Sequence, residues 1–168
     1  MGKRKRTWPY IKAFNAHVRG TKPRSHIRLV EAEIRTLSRP LHTQLSLLHP
    51  GLSRTASITT RVLKHIYDDH GAHAPEIIKH LAAMVGSPSI VYENKPGRAG
   101  MYIFAIRVDT RTYCGVMDIE RTRHGRCVLH VRTAFYASNP TAYLSGLNCV
   151  WLNVSRFVEP GGQRIPPS

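Results

Sequence analysis

Residues 62–95 read VLKHIYDDHGAHAPEIIKHLAAMVGSPSIVYENK, and the apolar period changes within them. Val62, Leu63 and Ile66 share one side of a helix, and Gly71 just beyond the last turn is a stop signal. Pro75 suits a first helical position, with Glu76 beside the positive N-terminus. Ile77, Ile78, Leu81, Met84 and Val85 then recur at helical spacing until Gly86 closes the helix. After Ser87-Pro88 the pattern alternates. Residues 89–94, 101–109, 112–120 and 126–137 are predicted strands, separated by the Gly- and Pro-bearing turn 95–100 and the polar turn 121–125. Short links between successive strands predict an antiparallel meander. Helices followed by strands predict an α+β fold, with N-terminal helices packed on one face of a four-stranded antiparallel β-meander.

Upstream, Ser25 caps a predicted helix reaching Leu37, with Ile27, Val30, Ile34 and Leu37 on one face. LHTQLSLLHPG, residues 41–51, is a second, shorter helical stretch, and TASIT, residues 55–59, is a short strand or a turn. Asn139-Pro140 begins a helical turn through Leu144. The predicted division is a basic, flexible arm over 1–23, whose aromatic Trp8, Tyr10 and Phe14 either stack on bases or tuck against the domain, a helical basic extension over 24–54, a folded body over 55–147 and a tail over 148–168. The end of that tail, EPGGQRIPPS, is too rich in Pro and Gly to pack.

Charge narrows the partner. The chain of 168 residues carries 25 Lys and Arg against 10 acids, a net +15. Residues 1–54 hold 12 of the bases against only Glu31 and Glu33. Such an excess favours a polyanion, nucleic acid first and an anionic membrane surface second. No apolar run approaches the roughly 20 residues of a membrane span, and no apolar segment follows the basic start as a signal peptide requires. Cys114, Cys127 and Cys149 form neither a CxxC pair nor a disulfide framework, which fits reduced thiols in a cytosol.

His65, His70 and His73 fall within nine residues at the joint of two helices, and histidine exchanges protons near neutral pH. On the fourth strand, RCVLHVRTAFYA, strict alternation places Val128, His130, Arg132, Ala134 and Tyr136 on one side, and Leu129, Val131, Thr133 and Phe135 on the other. The first set is expected on an open face. On the second strand Arg107 is the polar residue between Ile106 and Val108. These residue types suit RNA cleavage without a metal: the substrate's 2′-hydroxyl is the nucleophile, and the protein supplies a base, an acid and cations for the phosphate. Arginine suits the last role because its planar fork binds two phosphate oxygens. His65 and His70 lie about 140° apart round a helix, so they do not form an i, i+4 ligand pair, and no HExxH or Cys motif supports a metal. His70, His73 and Glu76 at the corner are the residues a metal reading would use.

The run VLKHIYDDHGAHAPEIIKHLAAMVGSPSIVYENK, followed by a meander ending in VRTAFYAS, resembles the phage-associated nucleases of the barnase–EndoU–colicin–RelE class over residues 55–145. The resemblance implies a barnase/RelE-like domain over 55–147. The family's paired histidines fall on His65 and His70, its strand base on Arg107 and its terminal-strand Thr on Thr133, with Arg132 and Tyr136 completing the candidate catalytic set. Gly71 follows His70 where the family has Pro, and alternation alone would put Thr133 on the inner face unless a bulge re-aims the strand. Lys3, Arg4, Lys5, Arg6, Lys95, Arg98 and His130 are the candidate RNA-binding residues. The family implies a cofactor-free, metal-independent endoribonuclease that acts by 2′-OH transesterification, as a toxin or phage-borne effector. The implied partners are RNA and an immunity, antitoxin or phage structural protein. The implied location is the cytoplasm, or a virion that delivers the protein there. The competing expectation is a non-catalytic nucleic-acid-binding or virion-associated module on a degenerate nuclease fold.

Overall fold

The computed structural model describes residues 7–20 and 22–154. Seven strands form a single sheet in the order β1-β2-β6-β5-β4-β3-β7. They are β1 (Glu31–Thr36), β2 (Leu52–Thr59), β3 (Ile90–Glu93), β4 (Tyr102–Val108), β5 (Arg111–Arg121), β6 (Cys127–Ala137) and β7 (Cys149–Leu152). The helices are α1 (Pro9–Ala13), continued by a π-helical turn over Phe14–Val18, then α2 (Arg39–Leu48), α3 (Thr60–Asp69), α4 (Ala74–Gly86) and α5 (Pro140–Leu144). The expected α+β class is present. The four-stranded meander is corrected to a seven-stranded mixed sheet: β3 to β6 pair antiparallel in sequence, but β2 adds parallel to β6, and β1 and β7 form the edges.

Two further expectations fail for one reason. Over residues 30–36, VEAEIRT, the same apolar residues that suit a helix also alternate with Glu31, Glu33 and Arg35. A neighbouring strand decides between the two periods. β1 pairs antiparallel with β2 from Glu31↔Thr59 to Thr36↔Thr55, so the helix expected up to Leu37 is replaced by a 3₁₀ turn at Arg24–His26 and a strand, whereas the helical stretch expected over 41–51 is present as α2. Buried Thr60 closes the end of this pair, since its hydroxyl accepts from Val30 N at 3.0 Å and donates to Arg28 O at 2.6 Å. β7 was missed likewise: CVWL adds to β3 in place of the expected tail.

For the part described, the flexible arm is corrected, and of the two expectations for its aromatic residues Tyr10 and Phe14 meet the second, packing against the domain. Tyr10, Ala13 and Val18 are buried in the main core, and Phe14 meets Tyr67 of α3 edge to face at 5.6 Å. Burial pushes the Tyr10 phenol up to about 12, so it remains neutral. Lys64 of α3, almost fully buried, donates to Gly20 O at 3.1 Å and pairs with Asp68 at 2.8 Å. Residues 7–20 are thus part of the domain. Lys3, Arg4, Lys5, Arg6 and the tail from Ser155 lie outside the described residues.

α3 and α4 cover one face of the sheet with Leu63, Ile66, Ile77, Leu81, Met84 and Val85, against Phe104, Met117, Leu129 and Val131. The other face has a smaller core: Ile103, Ala105, Cys114 and Ala137, roofed by Phe135 and by Tyr143 and Leu144 of α5. Among the described residues, its β1-β2-β6 side carries no helix. Burial raises the Cys114 thiol to about 12, in keeping with a core residue. The two faces exchange residues within β6. Val116 pairs with Thr133 but Met117 pairs with Val131, so Arg132 is an extra residue, a β-bulge. No helix among the described residues is long and apolar enough to cross a membrane.

Replacing Tyr10 with Ala removes a large, fully buried ring, and truncation of a buried aromatic costs about 3–5 kcal/mol. Chemical denaturation of Tyr10→Ala should show a loss of that size. A loss below about 1 kcal/mol would return residues 7–20 to the status of an arm.

Candidate active site

α3 begins where Thr59 accepts a hydrogen bond from Val62 N at 3.3 Å, and it ends at His70. The chain makes a 3₁₀ turn over Gly71–His73, with Gly71 at φ +47°, and enters α4 directly. β2 pairs with β6 only as far as Ser57↔His130 before the chain turns into α3. The histidine corner therefore packs against the last third of β6.

There the side chains form two lines of rings. His65 and His70 are 6.4 Å apart, His70 is 6.5 Å from Phe135, Phe135 is 5.0 Å from Tyr143, and the Arg98 guanidinium lies over Tyr143 at 5.6 Å. On the helix side His73 stacks on Tyr136 at 4.8 Å, and Tyr136 lies 5.9 Å from Tyr113. A pocket of about 440 Å³ opens at the end of β6, walled by Lys95, Arg98, Phe135, Asn139 and Tyr143. The turn carrying its cations folds back over the second face and is held by Asn94. Its amide donates to Ala99 O at 2.9 Å and Gly100 O at 3.1 Å, and its oxygen accepts from Lys95 N at 2.9 Å. Gly100, at φ +80°, packs so closely that a Cβ would stand 2.3 Å from Val116 and 3.1 Å from Met117 O.

His65 donates from Nδ1 to Asp69 at 2.6 Å, one helical turn on, and Arg24 hydrogen-bonds both Asp68 and Asp69. With Nδ1 engaged, Nε2 is the ring nitrogen of His65 that can exchange a proton with a substrate. His70 differs. Burial beside Phe135 is the largest influence on it and lowers its pKa; the neighbouring His65 and His73 push the same way, against a smaller upward pull from Asp69. His70 is therefore neutral at pH 7, as a general base must be.

No family model matches the chain, and no curated protein or solved structure is significantly similar to it. Its chemistry must be read from its own side chains.

Of the residues singled out from the sequence, the fold gathers His65, His70, Tyr136, Lys95 and Arg98 at this corner. The bulge puts Thr133 on the face of Phe135, two residues away, and turns Tyr136 to the helix side, so His130, Arg132 and Tyr136 do not align as alternation predicted. Arg132 instead lies 3.7 Å from both Asp118 and Glu120. His130 is bound by Ser57 Oγ at 2.7 Å, which itself donates to Glu31 at 2.5 Å. Arg107 stands in the cross-strand row Arg107–Thr112–Ala137, its Nε donating to Asp109 O at 3.3 Å. Among the described residues no group of three or more His, Cys, Asp or Glu is placed to hold a metal ion.

Sequence reading passed over Asp69, Arg24 and Tyr143. The i, i+4 spacing of His65 and Asp69 was a usable signal. Nothing local announces Arg24, which meets its partners across 44 and 45 residues of chain.

The lowered pKa of His70 has a consequence for stability. The unfolded chain takes up a proton at His70 near pH 6.5, at higher pH than the folded chain does. Its contribution is therefore fully present above pH 6.5 and lost progressively as pH falls below it. Thermal unfolding followed from pH 7.5 down to 4.5 should show a shallower fall in Tm for His70→Gln than for the wild type. Parallel curves would contradict a buried, neutral His70.

Proposed function

We propose that the chain is a metal-independent endoribonuclease whose centre is the histidine corner. The reading is carried by one observation: His65 and His70, in different surroundings, stand 6.4 Å apart beside Phe135 and the Arg98–Tyr143 pair. Rings so spaced can each come within about 2.6–3.2 Å of opposite oxygens of one phosphate.

In this reading His70, neutral, takes the proton of the ribose 2′-hydroxyl. The 2′-oxygen attacks phosphorus, the bond to the 5′-oxygen breaks, and His65 returns a proton to that leaving oxygen. The product ends in a 2′,3′-cyclic phosphate. Asp69, itself held by Arg24, orients His65 for the donation. Lys95 and Arg98 meet the phosphate charge, and Phe135 and Tyr143 give an unpaired base rings to stack on. The net +15 supplies attraction for the polyanion. The sequence resemblance to phage-associated nucleases extends the proposal to a toxin or phage-borne effector acting in a cytoplasm, with an immunity protein as its inhibitory partner.

The test is incubation of purified protein with total RNA in EDTA, with analysis of fragments and their ends. The expected result is cleavage leaving 2′,3′-cyclic phosphates. His65→Ala should lower the rate by about 10²–10⁴-fold while RNA affinity stays near the wild-type value. Tight, salt-sensitive binding without cleavage by the wild type would instead establish a binding module on a nuclease-like fold.

A further inference from the structure

The tip of the β5–β6 hairpin, RTRHGR over residues 121–126, takes no part in the corner. Arg121, Arg123, His124 and Arg126 are all exposed there, and no acid lies within the turn. An open pocket of about 690 Å³ lies at this tip, walled by Ser53, Thr122, His124, Arg126 and Val128. Val128 is on the face of β6 that α3 and α4 leave uncovered. Along that face the strand continues through His130 and the bulged Arg132 to Thr133 and Phe135, and so to the pocket of Lys95 and Arg98. Cationic groups thus stand at both ends of one strand face, with Arg132 between them.

We infer that this face of β6 is a track for single-stranded RNA, with the hairpin tip as a second phosphate anchor that feeds the strand to the histidine corner. The inference rests on the ribonuclease reading and adds the form of the substrate. Nine residues separate Arg126 from Phe135, about 30 Å of strand. That distance corresponds to about nine stacked nucleotides at roughly 3.4 Å each. A short RNA can occupy the corner alone, whereas a longer one reaches the hairpin. Single-stranded RNA fits better than duplex, because the corner offers Phe135 and Tyr143 to unpaired bases.

The experiment measures dissociation constants in EDTA for fluorescent single-stranded RNAs of about five and about fifteen nucleotides, non-cleavable through 2′-O-methylation. Wild type is compared with R123A/R126A and with R123K/R126K over a salt series. The expected result is that R123A/R126A weakens the long RNA roughly tenfold and lowers its salt slope by about 1.4, the share of two phosphate contacts on a single strand. Affinity for the short RNA should change less than twofold, and the lysine pair should keep most of the affinity for the long one. If wild type binds and cleaves RNA but R123A/R126A holds the long RNA as tightly as wild type does, the track is wrong and the corner reading stands. Equal weakening of short and long RNA also overturns it. If wild type binds neither RNA, both readings fall together.

Discussion

The extra residue in β6 decides what each face of this protein can present. Before Arg132, the strand turns Leu129 and Val131 toward α3 and α4; after it, Ala134 and Tyr136 take the inward places. Without the bulge Thr133 and Phe135 would enter the main core and Tyr136 would face α5. The ring contacts of Phe135 with Tyr143, and of Tyr136 with His73, both depend on that one-residue slip. A bulge also bends and twists its strand, which suits the point where β2 departs and α3 closes against the flank of β6.

The N-terminal segment secures the other side of the corner. Tyr10, Ala13 and Val18 bury against the domain, and Lys64 joins Gly20 O to Asp68. A charged group as deeply buried as Lys64 is costly unless paired, and here both a carbonyl and a carboxylate meet it. Burial works to raise the Asp68 pKa, but its contacts with Lys64 and Arg24 outweigh this and hold the carboxyl below its ordinary value. Arg24 grips Asp69 as well as Asp68, so the residues that precede β1 reach His65 through one carboxylate. Sequence composition made charge the most prominent feature of the first third of the chain. In the fold it also supplies position.

Most of the elements from α3 to β6 were legible, because each has one dominant period and a stop signal: Gly71 and Gly86 for the helices, the 95–100 and 121–125 turns for the strands. What escaped was settled by partners distant in sequence. The VEAEIRT segment satisfies helical and alternating patterns alike until β2 lies beside it, and CVWL is too short to declare itself before β3 provides an edge. The same limit applied to the site. His65 and His70 could be singled out from residue type and closeness, but strict alternation misassigned Tyr136, because no local feature of HVRTAF marks Arg132 as the unpaired residue. His65 and Asp69 are four apart and readable; Arg24 and Asp69 are 45 apart and are not.

The open face of β6 meets three carboxylates, Glu31, Asp118 and Glu120, and their geometry separates two kinds of residue. Arg132, with half of its side chain exposed, sits 3.7 Å from Asp118 and Glu120, beyond ordinary hydrogen-bond length. Exposed pairs of that kind contribute about 0–1 kcal/mol, so a phosphate arriving with better geometry can replace them at little cost. His130 is different. It is mostly buried, its Nδ1 is 2.7 Å from a buried serine hydroxyl, and that hydroxyl is committed to Glu31. Releasing it would leave Ser57 and Glu31 to find new partners at the β1–β2–β6 seam. Of the two bases that the sequence placed together on this strand, Arg132 is held only by two weak, exposed pairs, and His130 is held to the joining of three strands.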